Sequence, residues 1–284
     1  MKKVRRSERL VDMTRYMLEK PQQLISLNFF AERYGTAKSS ISEDLSIIND
    51  VFKQKTIGEL KTLPGASGGV KYIPYIARQK ALQWIEEMIA ALEDPGRILP
   101  GGYIYMTDVL SQPKMVNRVG KIISTLFSHQ EPDYVLTVET KGIPLAYATS
   151  QYLNIPFVIA RRDSRVTEGS VVSINYVSGS TKRIQTMSLS RRGLKEHSRV
   201  LIVDDFMKAG GTIRGMMELL KEFHAEVVGV CVLMESEPTN ERLVDDVISL
   251  IRIKEVNGKE QRISMSVGTI YELKERESDG EEGN

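Results

Sequence analysis

Two adjacent carboxylates and a glycine turn are the part of this sequence best suited to chemistry. Asp204 and Asp205 directly follow four apolar residues at 200–203, and residues 209–212 then read Ala-Gly-Gly-Thr. Carboxylates accept hydrogen bonds from hydroxyl groups, each worth roughly 1.5–3 kcal/mol, and a glycine turn that opens a helix binds anions through its N–H groups. Because carboxylates repel a bare phosphate, the pattern predicts a ligand that carries hydroxyls or a metal together with phosphate. A ribose 5-phosphate has these groups.

The residues around the turn predict the elements that hold it. The run at 200–203 contains three β-branched residues, which is typical of a strand buried on both faces of a parallel sheet. We expect this strand to stop at the two acids and a helix to span residues 213–223. The same acids could serve a different metal site, as in receiver domains, but such a site would not need the Gly-Gly-Thr turn.

A second strand and loop offer another place for an anion. Residues 134–138 predict a buried strand, and the loop that follows contains Lys141 and Gly142 before a helix that runs to about Tyr152. A third strand is predicted at 157–160. Further strands are predicted at 227–234, where Cys231 is a small buried hydrophobe, and at 247–256, while a helix is predicted over 75–92.

The amino-terminal part of the chain predicts a DNA-binding fold. Apolar spacing predicts a helix over 7–19, a short helix capped by Ser26 that ends at Gly35, and a third helix capped by Thr36. Segments 58–63 and 70–73 flank a glycine-rich turn and predict a hairpin. Together they form a winged helix-turn-helix. The DNA-binding candidates are Arg5, Arg6, Lys38, Ser39, Ser40, Ser42, Lys61 and Lys71.

The distribution of charge supports a polyanionic partner for this part alone. Residues 1–74 carry 13 Lys and Arg against 8 Asp and Glu, while the whole chain of 284 residues has a net charge of only +2. A winged helix can also contact proteins, but the basic balance favours DNA. With a single cysteine and no apolar run approaching 18 residues, we expect a cytoplasmic protein without a disulfide, a signal peptide or a membrane partner.

The segment 200–212 resembles the phosphoribosylpyrophosphate (PRPP) signature of the type I phosphoribosyltransferases, and the chain to about residue 275 resembles the purine repressors of Gram-positive bacteria. The resemblance implies an α/β protein: a winged helix-turn-helix DNA-binding domain at 1–74, and a type I phosphoribosyltransferase-like domain with a mainly parallel sheet at 75–275. Residues 276–284 are expected to be a flexible charged tail.

The resemblance also implies which residues bind PRPP, with Mg²⁺ as its companion ion. Tyr103 would lie near the pocket, Thr140, Lys141 and Gly142 would bind the pyrophosphate, and Arg161 or Arg162 would reach it. The remaining PRPP-binding residues would be Asp204, Asp205, Phe206, Lys208, Ala209, Gly210, Gly211 and Thr212. The Ser- and Thr-rich residues 166–189 predict a long hairpin, which could be an ordinary surface hairpin or the counterpart of the mobile catalytic loop of the enzymes.

Lys208 bears on whether the chain is an enzyme or a sensor. In the 6-oxopurine transferases this position holds an aspartate that exchanges a proton with the base, and in the adenine transferases a small residue. A lysine there disfavours base chemistry, so no catalytic residue is assigned. We expect a homodimeric repressor of purine biosynthesis genes that binds operator DNA and responds to PRPP, with guanosine tetra- or pentaphosphate as a competitor. The alternative is an active purine phosphoribosyltransferase fused to a DNA-binding domain.

Overall fold

The computed structural model describes residues 4–65, 67–163, 168–177, 183–237, 242–270 and 272. The chain forms two compact units. The first contains Met1–Arg78 and Gln151–Asn154, and the second contains Gln79–Ser150 and Ile155–Asn284. Residues 178–182 of the predicted hairpin and the predicted tail at 276–284 lie outside the described residues. In the described part of the chain, no helix is long and apolar enough to cross a membrane.

The first unit has the predicted winged helix-turn-helix fold. Its elements are α1 (Arg6–Glu19), β1 (Leu24–Ile25), α2 (Leu27–Tyr34), α3 (Lys38–Gln54), β2 (Gly58–Leu63) and β3 (Gly69–Pro74). Ser26 caps α2 by accepting a hydrogen bond from the Phe29 N–H, and Gly35 ends it with a φ of +58°, both as predicted. The prediction that Thr36 caps α3 is wrong. Ala37 is the N-cap, because the Thr36 hydroxyl instead donates to the Tyr34 carbonyl at 3.3 Å.

The apolar faces of the three helices meet in one core, into which the sheet also packs. This core includes the inner face of α3, formed by Ile41, Leu45, Ile48 and Phe52. The fully buried carboxylate of Asp44 lies at the contact between α1 and α3. It accepts from the Arg6 Nε at 2.8 Å and from the Arg9 Nε at 2.9 Å. This ion pair network fixes the first helix of the fold against the third.

The second unit begins with a helical and ribbon segment and continues as an α/β sheet. The first segment consists of α4 (Arg78–Leu92), β4 (Ile98–Leu99), β5 (Tyr103–Ile104), α5 (Thr107–Leu110) and α6 (Pro113–Phe127). The rest consists of β6 (Tyr134–Val138), α7 (Ile143–Leu153), β7 (Phe157–Ala160), β8 (Val171–Val177), β9 (Ile184–Ser190), β10 (Arg199–Met207), α8 (Gly211–Lys221), β11 (Glu226–Ser236), β12 (Val247–Asn257) and β13 (Arg262–Val267).

Six of these strands form the central sheet, in the order β13-β12-β11-β10-β6-β7. All neighbouring pairs are parallel except β12 with the edge strand β13, so the predicted mainly parallel sheet is confirmed. The predicted strands at 134–138 and 157–160 match β6 and β7 residue for residue. Cys231 is fully buried in β11, as predicted. Strand β13 is not among the predicted strands.

Several boundaries differ from the predictions. Strand β10 does not stop at the two acids but continues to Met207, because its far end still pairs with β11, with Met207 opposite Glu235. Helix α8 starts at Gly211 and not at the predicted residue 213. Helix α4 begins at Arg78 and not at residue 75, since strand β3 extends to Pro74 and the connecting residues are not helical.

The predicted hairpin at 166–189 is present as the antiparallel pair β8 and β9. Its strands belong to the hydrophobic core, because Tyr176 packs against α8 where Gly215 leaves room for the ring. A side chain at Gly215 would place its Cβ 2.9 Å from the Tyr176 ring. The paired strands of the hairpin are therefore part of the packed domain. Its role as a mobile loop stays a prediction.

We predict that Asp44→Ala lowers the free energy of unfolding by about 3–5 kcal/mol, because it leaves the Arg9 guanidinium, only 9% exposed, without its counter-charge. Urea unfolding of the full chain, followed by circular dichroism, measures the loss. Glu43→Ala is the matched control, since Glu43 is exposed and lies 3.6 Å from Arg6. A midpoint for Asp44→Ala equal to that of the control would contradict the structural role of Asp44.

Candidate functional site

The sheet order creates a crevice between β6 and β10. From β6 the chain continues through α7 to β7 on one side, and from β10 it continues through α8 to β11 on the other. Such a point, where the winding direction reverses, is where open parallel sheets bind ligands, outside the carboxyl ends of the strands. The last pairing between the two strands joins Ile202 to Leu136. The residues of β10 that follow Ile202 therefore border this crevice on the β6 side.

The glycine turn after β10 has the geometry of an anion site. Gly210 adopts a φ of +88°, which lets the backbone turn directly into α8, and the Arg214 N–H already donates to the Gly210 carbonyl at 2.8 Å. Residues 206–213 line a small cavity of about 60 Å³ at this turn. The predicted phosphate-binding residues Ala209, Gly210, Gly211 and Thr212 all lie there.

The two acids have different environments. Asp204 is only 3% exposed, and its Oδ1 accepts from the Asp205 N–H at 2.9 Å, whereas Asp205 is partly exposed and faces the larger cavity described below. Burial raises the pKa of Asp204 well above its ordinary range, and the charge of Asp205 raises it further, while Arg162 acts weakly in the opposite direction. The pair therefore resists carrying two negative charges while no partner is present.

The predicted second loop meets the acid pair directly. Gly142, which precedes α7, lies so close to β6 and β10 that a Cβ on it would collide with the Thr137 hydroxyl and approach Asp204 Oδ1 to 2.7 Å. The loop begins with a cis peptide bond between Glu139 and Thr140. The structure thus brings residues 139–142 and 204–205, which are far apart in sequence, into one site.

A cavity of about 570 Å³ adjoins these loops. The predicted ligand residues that line it are Tyr103, Lys141, Asp205, Phe206 and Lys208. Phe206 and Lys208 also line the small cavity of the glycine turn, so the two spaces are neighbours. The other wall of the larger cavity is apolar and includes Met106, Met234, Ile253 and Val256. None of these four residues was predicted to bind a ligand. An apolar residue in a strand gives the same sequence pattern whether its side chain faces a core or a ligand.

A short ribbon carries Tyr103 to the cavity. β4 and β5 pair around a turn in which Gly101 and Gly102 have φ values of +86° and +76°. Arg97 fastens the base of this ribbon with two bonds to Asp108, at 2.7 and 2.8 Å, and these bonds hold the pKa of the Asp108 carboxyl below its usual range. Tyr103 is 58% exposed, so its ring is available to a ligand.

Four of the predicted ligand residues line neither of the two cavities described above: Thr140, Gly142, Arg161 and the buried Asp204. The Arg161 guanidinium pairs with Glu168 at 3.0 Å and with Glu139 at 3.6 Å. Its charge is therefore already balanced by protein carboxylates. Arg162, the other residue considered for this role, has its backbone N–H bound to Glu139 and its charge acts on Asp204.

The DNA-binding candidates lie on the surface of the first unit. Lys38, Ser39 and Ser42 are exposed on α3, and Ser40 is partly exposed. The Arg5 N–H at the start of α1 donates to Glu8, while Arg6 remains 53% exposed although it pairs with Asp44. In the wing, Lys61 of β2 is directly opposite Lys71 of β3. Like charges at such cross-strand positions are unfavourable unless an anion lies between them.

Comparison with known proteins agrees with this architecture. Residues 5–74 match the family described as bacterial purine repressor, N-terminal, and residues 106–266 match the phosphoribosyl transferase domain. The chain is 56% identical to the purine biosynthesis transcriptional repressor PurR of Bacillus subtilis (strain 168), over 94% of each protein. It belongs to the bacterial purine repressor family. The predicted resemblance is thereby confirmed.

Another relative is similar to nearly the whole chain, and a solved structure is similar to part of it. The purine biosynthesis transcriptional activator PurR of Lactococcus lactis subsp. lactis (strain IL1403) is 42% identical over 94% of this chain and 99% of its own. The adenine phosphoribosyltransferase of Thermoanaerobacter pseudethanolicus superposes with a TM-score of 0.51 at 22% identity, covering 59% of this chain and 99% of that one. This likeness shows that the second unit has the phosphoribosyltransferase fold.

The donor set at the site suits a ligand-borne metal ion. The described residues contain no group of three or more His, Cys, Asp or Glu side chains that could hold a metal by themselves. Mg²⁺ prefers oxygen ligands and commonly takes only one or two carboxylates together with substrate phosphates and water. Asp204 and Asp205 could supply those carboxylates, and a diphosphate would supply the rest.

We predict that Asp204→Asn raises the unfolding midpoint of the unliganded protein at pH 7.5, with a gain of about 1 kcal/mol or more. A raised pKa in the fold means that ionising Asp204 costs stability at every pH above its ordinary value, and asparagine removes that cost while keeping an acceptor for the Asp205 N–H. Thermal melts at pH 7.5 and about pH 4 test this. The gain should disappear at the lower pH, and a loss at pH 7.5 would contradict the assignment.

Proposed function

We propose that this chain represses purine biosynthesis genes by binding operator DNA through residues 1–74, and that residues 75–275 bind PRPP as an effector without consuming it. Such a regulator acts in the cytoplasm, with the DNA. The observation that supports this proposal best is the meeting of three features at one crevice: the loop around Gly142 contacts Asp204, and the glycine turn that follows the acid pair opens α8 beside the larger cavity, with Phe206 and Lys208 lining both cavities.

Each part of PRPP has a chemically suitable partner. The 5′-phosphate fits the N–H groups of residues 209–212 at the start of α8, where the helix dipole adds to the attraction. The ribose hydroxyls donate to Asp204 and Asp205. Lys141, with main-chain contacts at Thr140 and Gly142, binds the pyrophosphate. Arg161 adds positive charge there only if it leaves its ion pairs with Glu168 and Glu139. Mg²⁺ is carried with the diphosphate.

Lys208 supports a sensor in place of an enzyme. Its side chain lines both cavities, so a cation occupies the side of the site where base chemistry needs a proton acceptor or open space. With Phe206 and Tyr103 it lines a space of about 570 Å³ that is larger than a ribose phosphate requires. Guanosine tetra- or pentaphosphate, which joins an aromatic base to several phosphates, is the competitor that such a space suits.

The first unit supports a duplex DNA partner. The surplus of basic residues at 1–74 and the facing lysines Lys61 and Lys71 favour phosphate groups. Arg5, Arg6 and Lys38 supply further positive charge, and Ser39, Ser40 and Ser42 are short enough to approach a groove wall. Because helix-turn-helix proteins usually read two half-sites one helical turn apart, the active form is a homodimer.

The direction of regulation is part of the proposal. One relative is named a repressor and another an activator, so the same architecture serves both outcomes. Repression relieved by PRPP requires only that the effector binds one arrangement of the protein more tightly than the other. A coupling of about 1–3 kcal/mol is typical and changes DNA affinity about 5- to 150-fold.

We predict that PRPP with Mg²⁺ weakens the gel shift of operator DNA by the wild-type chain by a factor in that range. The double variant Asp204→Ala, Asp205→Ala should bind operator DNA as the wild type does but no longer respond to PRPP, because the ribose loses its acceptors. Glu218→Ala, an exposed position on α8, is the matched control. An operator shift that PRPP leaves unchanged in the wild type would refute the effector role.

The same preparations separate the sensor from the transferase. Incubation with PRPP and each purine base should release no pyrophosphate above background. Steady release that the double variant abolishes would favour an active purine phosphoribosyltransferase.

We also predict that Lys61→Gln with Lys71→Gln reduces the slope of log affinity against log salt by about 0.9 for each lysine that contacts a phosphate. The unfolding midpoint should not fall, since the substitutions relieve repulsion between facing lysines. Lys55→Gln, exposed at the end of α3, is the control. If the double variant keeps the wild-type slope in a fluorescence titration, the wing does not contact the DNA backbone.

A further inference from the structure

The glycine turn is supported from behind by a segment outside the sheet. The Leu243 N–H donates to the Ala209 carbonyl at 2.9 Å, and Val244, itself 7% exposed, packs against Gly210. A Cβ on Gly210 would lie 3.2 Å from Val244 Cγ2, so the contact is close. The position of the turn in the crevice therefore depends on where residues 242–244 lie.

This segment is in turn held by one charged side chain. The Arg242 Nε donates to the Val244 carbonyl at 2.9 Å, which folds the segment on itself, and its Nη2 lies 3.4 Å from the Glu235 Oε2. Glu235 is 2% exposed near the end of β11. Its other oxygen accepts from the Ser249 hydroxyl at 2.9 Å and from the Arg252 Nε at 3.1 Å. The carboxylate is thus fixed to the sheet before it meets Arg242.

Two guanidinium groups share this buried carboxylate, but they belong to different parts of the fold. Arg252 lies on β12 directly opposite Glu235, so its position is set by strand pairing. Arg242 lies on the supporting segment, whose only side-chain ion pair to the sheet, among the residues described, is this one. Loss of Arg242 therefore removes this ion pair and leaves the segment held only by the Leu243 hydrogen bond and the packing of Val244, whereas loss of Arg252 keeps the ion pair.

We infer that Glu235 and Arg242 are positioning residues for the phosphate-binding turn, and that this ion pair holds residues 209–212 in the geometry that a phosphorylated sugar requires. The identity of the ligand rests on the proposed function. The link between the Glu235–Arg242 ion pair and the glycine turn does not rest on it. Neither residue lines either of the two cavities described above. They act through Leu243 and Val244, as the groups behind a binding loop commonly do.

Two matched substitutions in the full chain test this link. Arg242→Met keeps a long side chain but removes the charge that holds the segment, and Arg252→Met removes the other partner of the same carboxylate. We expect Arg242→Met to weaken PRPP–Mg²⁺ binding about ten-fold by calorimetry, and Arg252→Met to change it less than about two-fold. Arg242→Lys should recover part of the affinity, since it restores the charge.

Hydrogen exchange of the Leu243 amide provides a readout that needs no ligand. This amide donates to Ala209, so Arg242→Met should lose its protection while Arg252→Met keeps it. Equal protection in both variants, or equal loss of PRPP affinity in both, would overturn the inference. If the wild type shows no PRPP binding while Arg242→Met alone loses protection of the Leu243 amide, the positioning pair is upheld and it is the proposed effector that fails.

Discussion

A carboxylate withheld from water at the carboxyl end of β10 is the constraint on which the ligand site depends. Asp204 is 3% exposed and lies against the backbone of Gly142, and burial raises its pKa. Such a group is unfavourable in the empty protein and becomes favourable when hydroxyl donors or a metal ion reach it. The surrounding cations Lys141 and Lys208 then suit the phosphate groups of the same ligand. The groups at the site therefore suit molecules that carry both hydroxyl groups or a metal ion and phosphate groups.

The arrangement of the sheet explains how this constraint is met. The winding direction reverses between β6 and β10, and this reversal leaves a crevice between the two strands. The loop around Gly142 borders the crevice at the end of β6, and the turn around Gly210 borders it after β10. The loop around Gly142 is held by the start of α7, and the turn around Gly210 by Leu243 and Val244. A ligand that bridges both loops is bound by elements from separate parts of the chain, so its binding free energy can favour one arrangement of the protein over another.

Much of the fold could be predicted from local sequence, but its long-range pairing could not. The strands at 134–138 and 157–160 were predicted to the residue because they are short apolar runs bounded by polar residues. The prediction for β10 ended too early, because the acids look like a stop signal. They remain in the strand since β11 supplies partners as far as Glu235. Thr36 satisfies the usual preference for a cap, yet its hydroxyl binds Tyr34 and the cap falls to Ala37.

The sequence by itself determined the chemistry of this protein: two acids, a glycine turn, a lysine loop and a basic helix-turn-helix, because each is a short-range pattern of residue types. Tertiary structure decided which of these groups meet and which face a ligand. It brought Gly142 to Asp204, balanced Arg161 with Glu139 and Glu168, and placed Met234 and Ile253 on a cavity wall. It also connected Glu235 to the glycine turn through Arg242. These relations depend on the register of distant strands, and no local pattern of residues encodes that register.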